Sequence, residues 1–148
     1  MHKLTSSATA DAATIRTAGL DLVDIERLRL AYRRSGPEFL SRVFDEHELM
    51  AARNCPAPTW QVLGRMFGIK ESVVKAAAGF PPDSGYRDIS IEARSGQREW
   101  PVRVRGELAE WAGRQGVQLS GGGWMIHSGL GLAWTIGRPV ARTSDPRQ

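Results

Sequence analysis

The chain has 148 residues, 41% of them hydrophobic and 24% charged, the proportions of one globular domain and not of a disordered chain. A single cysteine, Cys55, excludes an internal disulfide and a cysteine-built zinc site, and no apolar run approaches the ~20 residues that span a bilayer. The net charge of +4 is carried mostly by arginine, whose planar fork suits nucleic acid, an anionic cofactor or an acidic protein.

Residues 1–17 are rich in Ala, Ser and Thr without sustained periodicity and read as a loose tail lacking the apolar core of a secretory signal. Residues 141–148 end the chain in the same way, which leaves 18–140 as the working domain in an expected cytoplasmic setting. Gly19-Leu20-Asp21-Leu22-Val23 predicts a strand. Ile25, Leu28, Leu30 and Tyr32 among Arg27, Arg29, Arg33 and Arg34 predict a short helix with a basic face, broken at Ser35-Gly36-Pro37. Helices are expected over 38–43 and 46–52, the second stopped before Pro56 and Pro58. The longest helix is expected over 60–78, where Val62, Met66, Ile69 and Val73 form a stripe near the 3.6 period. Gly79-Phe80-Pro81-Pro82 ends it, with Gly79 suited to a left-handed cap.

Strands are expected over 88–93 and 100–104, a helix over 107–115, and strands over 124–127 and 130–136. Gly121-Gly122-Gly123 matches no phosphate-loop pattern and reads as a flexible hairpin connection. A strand, a run of helices and then several strands predict an α+β fold, with helices on one side of an antiparallel sheet.

An acid inside an apolar strand needs either water or a partner. Asp21 therefore reads in two ways: Leu20 and Leu22 face the core and Asp21 the solvent, or Asp21 has chemical work. Glu71 and Lys75 stand four residues apart, which fits a surface ion pair. It also fits a carboxylate for a divalent cation and an ammonium for a phosphate. Mg²⁺ takes one or two protein carboxylates and completes its shell with water and phosphate oxygens, so Asp21 and Glu71 supply that minimum. His127, before the Ser128-Gly129 corner, is a weaker candidate, since a lone histidine is more often structural.

The ordered set of motifs resembles the holo-acyl-carrier-protein synthase type of 4′-phosphopantetheinyl transferase. Gly19-Leu20-Asp21-Leu22-Val23-Asp24-Ile25-Glu26-Arg27-Leu28 is similar to that family's first strand and helix start. Phe39-Leu40-Ser41-Arg42-Val43-Phe44 with Glu48-Leu49, then Phe67-Gly68-Ile69-Lys70-Glu71-Ser72-Val73-Val74-Lys75-Ala76, follow at the family's spacings. Asp88-Ile89-Ser90-Ile91 and Trp124-Met125-Ile126-His127-Ser128 resemble its later strands. The chain departs from the pattern at Met66, where the family has arginine, at the bulkier pair Gly68-Ile69, and at Ile126, where it has serine.

The resemblance implies a small antiparallel sheet packed against the long helix, assembled as a trimer. It implies Mg²⁺-dependent transfer of 4′-phosphopantetheine from coenzyme A to a serine of an apo acyl carrier protein, without nucleic acid or membrane as partner. Asp21, Glu71 and Lys75 would carry the chemistry, with the metal on Asp21 and Glu71. Lys70, Lys75 and His127 would contact the coenzyme. Arg27, on a motif position, and Arg34 would dock the carrier, which is acidic around its serine. Two other classes compete: a relative of the same fold that binds a carrier protein or acts on its cargo without transferring the arm, and a basic nucleic-acid module. The latter lacks a recognition helix or basic-aromatic motif.

Overall fold

In the computed structural model, which describes residues 14–127 and 129–141, the chain opens on strand β1 (Thr17–Asp24). Most of the expected tails and Ser128 lie outside the described residues, and Thr17 already belongs to β1. Asp24 caps helix α1 (Ile25–Ser35) by accepting from the amides of Glu26 and Arg27 at 3.0 and 3.2 Å. Gly36, at φ 66°, and Pro37 turn the chain into α2 (Pro37–Val43). Helix α3 (Glu46–Asn54) starts on a reciprocal cap between Asp45 and Glu48. Helix α4 (Thr59–Ala76) has 18 residues. Beyond it Ala78 takes the left-handed position at φ 60°, and Gly79, the expected cap, follows at φ 121° with its N–H donating to the Val74 carbonyl at 2.8 Å.

A 3₁₀ turn at Tyr86–Asp88 leads into β2 (Ile89–Ile91), followed by β3 (Glu99–Val104), α5 (Gly106–Gln115), β4 (Val117–His127) and β5 (Leu130–Pro139). The five strands form one antiparallel sheet in the order β1-β5-β4-β3-β2. The expected α+β architecture is present. No helix among the described residues is long and apolar enough to cross a membrane.

The glycine triplet is a correction. Gly121, Gly122 and Gly123 lie inside β4, not in a flexible connection. A Cβ at Gly121 would stand 2.5 Å from Ile69 and one at Gly122 2.2 Å from the Trp134 ring. The glycines are there for close packing on both faces of the sheet.

Helix α4 lies across the inner face. Val62, Met66, Ile69 and Val73 are buried with Ile89, Ile91, Trp100, Val102, Leu119 and Ala133, each such large side chain contributing about 1.5–3 kcal/mol by leaving water. Gly19 fixes the contact between α4 and β1, since a Cβ there would lie 1.9 Å from the Ser72 carbonyl oxygen. The opposite face of β1 is open: Leu20 and Leu22 are 61% and 63% exposed.

Candidate active site

Strand alternation settles the two readings of Asp21. Leu20 and Leu22 point outward, so Gly19, Asp21 and Val23 face α4, and the Asp21 side chain is only 11% exposed. In register it pairs with Ala133 of β5. The bland reading, with the leucines in the core and the acid in water, is reversed, because the strand presents its small and acidic residues to the helix.

Where Asp21 meets α4 it accepts a hydrogen bond from Lys75 Nζ at 2.5 Å. Glu71, one helical turn earlier, accepts from the Tyr86 hydroxyl. Glu71 and Lys75 thus take different partners instead of forming the simple helix-surface pair. The Tyr86 phenol is pushed far above its ordinary range, first by burial, then by its bond to Glu71 and by the charges of Glu71 and Asp21. The phenol therefore stays protonated and donates, and both carboxylates lie close enough for their charge to act on it.

Sequence reasoning placed Lys70 among the coenzyme contacts; the structure places it in the core. It is 0% exposed, and Nζ donates to Glu48 Oε2 at 2.8 Å, the Val43 carbonyl at 2.7 Å and the Tyr86 carbonyl at 3.1 Å. Those three bonds use all three ammonium protons, so none remains for a ligand. Glu48 is equally buried, and its carboxylate also accepts from the amides of Asp45 at 2.9 Å and Ile91 at 2.7 Å. Burial pushes the Glu48 carboxyl up and the Lys70 ammonium down, each opposed by its partner. The network ties α2, α3, the 3₁₀ turn and β2 to α4 beneath Glu71. From sequence Glu48 is only a motif position and Tyr86 has no role, because their partners stand 22 and 15 residues away.

A cavity of about 360 Å³ is lined by Val23 and by Ala133, the register partner of Asp21, on the sheet, and by Arg65, Arg94, Gln97 and Trp100 around it. The Arg65 guanidinium stacks on the Trp100 ring at 3.6 Å and donates to the Arg98 and Gln97 carbonyls at 2.6 and 3.3 Å. Met66, at the motif position where arginine was expected, is 0% exposed in the core, while Arg65 beside it is the residue that faces this cavity. Gly68 is explained by packing: a Cβ there would lie 2.3 Å from Val23 and 2.6 Å from Ala133.

His127 is not brought to the two carboxylates. It is exposed at the end of β4, paired with Leu130, whose other partner is Asp24. Its level is three strand positions, about 10 Å, along the sheet from Asp21, and β5 lies between the two strands, adding about 10 Å across it. On α1, Glu26 engages Arg33 at 2.5 Å and Arg29 at 4.0 Å, and on α2 Glu38 engages Arg42 at 3.8 Å. Arg27 and Arg34, seven residues apart on one helix face, are exposed with no acidic partner among the described residues.

Among the described residues no group of three or more His, Cys, Asp or Glu could hold a metal. Two carboxylates are nevertheless what Mg²⁺ takes from a protein, and the hard oxygens of Asp21 and Glu71, gathered beside the phenol of Tyr86, fit that ion.

A family model described as the 4′-phosphopantetheinyl transferase superfamily matches residues 17–123. The holo-[acyl-carrier-protein] synthase of Methylibium petroleiphilum is 35% identical over 106 residues, covering 68% of this chain and 79% of that one. That of Protochlamydia amoebophila is 36% identical over 74 residues, covering 49% of this chain. The match spans about three fifths of its length, 60%. The fold is similar to the crystal structure of the Helicobacter pylori holo-[acyl-carrier-protein] synthase in complex with coenzyme A, with a TM-score of 0.62 at 21% identity over 81% of this chain and 98% of that one.

Proposed function

The chain belongs to the 4′-phosphopantetheinyl transferase superfamily, and from that premise we propose that it transfers 4′-phosphopantetheine from coenzyme A to a serine of an apo acyl carrier protein in the cytoplasm. The observation that carries the reading is the convergence of Asp21, Glu71 and Lys75 where β1 crosses α4. The coenzyme complex of the Helicobacter pylori relative supports the donor, and the names of the relatives support the acceptor.

Asp21 and Glu71 would hold Mg²⁺. When bound, that ion supplies positive charge to the pyrophosphate and to the departing phosphate oxygen. Lys75 Nζ is 2.5 Å from Asp21 on a side chain that is 54% exposed, so it has the reach to turn from the carboxylate to a phosphate oxygen. The cavity beside Asp21, with Arg65 and Arg94 in its wall, suits the anionic and planar parts of coenzyme A. In this reading the carrier serine attacks the phosphorus carrying the pantetheine arm, its proton leaves to solvent or a carboxylate, and adenosine 3′,5′-bisphosphate departs.

Arg27 and Arg34 present free positive charge on one face, with Leu30, 38% exposed, between them. That pattern supports docking of an acidic carrier protein, charge for steering and an apolar contact for grip. The outward leucines of β1, with Leu130 of β5 39% exposed, support the self-association into a trimer that the family resemblance implies. The test is the intact mass of apo acyl carrier protein incubated with the chain, Mg²⁺ and coenzyme A. A gain of one phosphopantetheinyl group supports the transfer. An unmodified carrier that still binds the chain supports the non-transferring relative instead.

A further inference from the structure

Resting on the metal reading above, we propose that Tyr86 is a positioning residue for the metal ligand Glu71, its phenol holding Oε1 so that Oε2 is the oxygen available to a divalent cation. A glutamate on a helix surface has three side-chain torsions, and a cation site made of only two carboxylates depends on both being held in place. Glu71 is held from outside its own helix, by the hydroxyl of Tyr86. Tyr86 is itself fixed on three sides. Its ring is tilted against Phe67, with centroids 5.6 Å apart, and meets Phe80 edge-on at 5.1 Å. Its carbonyl accepts from Lys70 Nζ at 3.1 Å. A rigid chain of contacts therefore runs from the buried Lys70–Glu48 pair through the 3₁₀ turn to the carboxylate of Glu71.

The competing account is that Tyr86 only packs the loop after α4. The two differ in what the hydroxyl does. Tyr86→Phe keeps the ring between Phe67 and Phe80 and removes only the donor. Phe80→Leu loosens the ring and keeps the donor.

The experiment is manganese(II) binding, read from loss of the free-ion electron spin resonance signal, with the whole chain and coenzyme A present. Tyr86→Phe is expected to weaken Mn²⁺ about tenfold or more with a thermal midpoint near that of the native chain, and Phe80→Leu to leave Mn²⁺ affinity within about threefold. In turnover, Tyr86→Phe should raise the Mg²⁺ concentration needed for half-maximal rate and recover most of kcat at saturating Mg²⁺. Unchanged Mn²⁺ affinity in Tyr86→Phe, or an equal loss in Phe80→Leu, overturns the role of Tyr86 and leaves the metal site standing. Failure of the native chain to bind Mn²⁺ beyond coenzyme A alone overturns both.

Discussion

Replacing Lys70 with methionine separates a core role from a coenzyme role at one of the most distinctive positions of the chain. The substitution keeps the aliphatic stem and deletes three hydrogen bonds, to Val43, Glu48 and Tyr86. It leaves the Glu48 carboxylate, 0% exposed, with only the amides of Asp45 and Ile91. Breaking a buried pair from one side costs about 3–5 kcal/mol, roughly a fifth or more of the ~5–15 kcal/mol that holds an ordinary domain. In urea, with m near 2 kcal/mol/M, the unfolding midpoint should fall by about 2 M. Adding Glu48→Gln removes the stranded charge, so the double variant should be more stable than Lys70→Met alone. A Lys70→Met chain that unfolds at the native midpoint but binds coenzyme A weakly would refute this reasoning and return Lys70 to the ligand site.

Arg27→Glu should raise the apparent KM for apo carrier protein several-fold to about tenfold and leave coenzyme A binding unchanged, with Arg34→Glu adding to the defect and salt narrowing the difference; an unchanged KM at low salt contradicts the docking face. Gly68→Ala should destabilise by about 1–3 kcal/mol, because the added Cβ meets Ala133 at 2.6 Å, seen as a lowered thermal midpoint. Glu99, held below the usual carboxylate range first by its hydrogen bonds to Arg138, lends stability that is present above its unfolded pKa and lost as pH falls through the lower folded one. Glu99→Gln should therefore flatten that part of the acid-unfolding profile below about pH 4.3, by less than about 1 kcal/mol because both side chains are more than a third exposed to screening solvent.

Local signals carried most of the chain. The apolar stripe of α4, the break at Gly36-Pro37 and the strand at Asp21 each depend on neighbours within one or two turns, and all appear where the residues put them, give or take a few positions. What was hidden depends on distant pairing. Lys70 and Glu71 stand side by side, yet successive helix residues point about 100° apart; one enters the core to meet Glu48 and the other faces Tyr86. Neither partner is visible from the local pattern. The glycine triplet was misread for a related reason: loops and tightly packed strands both favour glycine, and only the approach of Ile69 and Trp134 tells them apart. Asp21 illustrates the limit of alternation, since period two shows that it faces away from the leucines but not which face meets the helix.

The most direct measurement is the initial rate at which Glu71→Gln and Asp21→Ala modify an apo acyl carrier protein at saturating Mg²⁺ and coenzyme A, followed by intact mass beside the native chain. Each variant removes one of two carboxylates offered to the cation, and a neutral amide or methyl supplies none of the charge a hard ion needs. The account predicts a native chain that adds the phosphopantetheinyl group, and variants with native circular dichroism that add essentially none. A variant that modifies the carrier at near the native rate would contradict it.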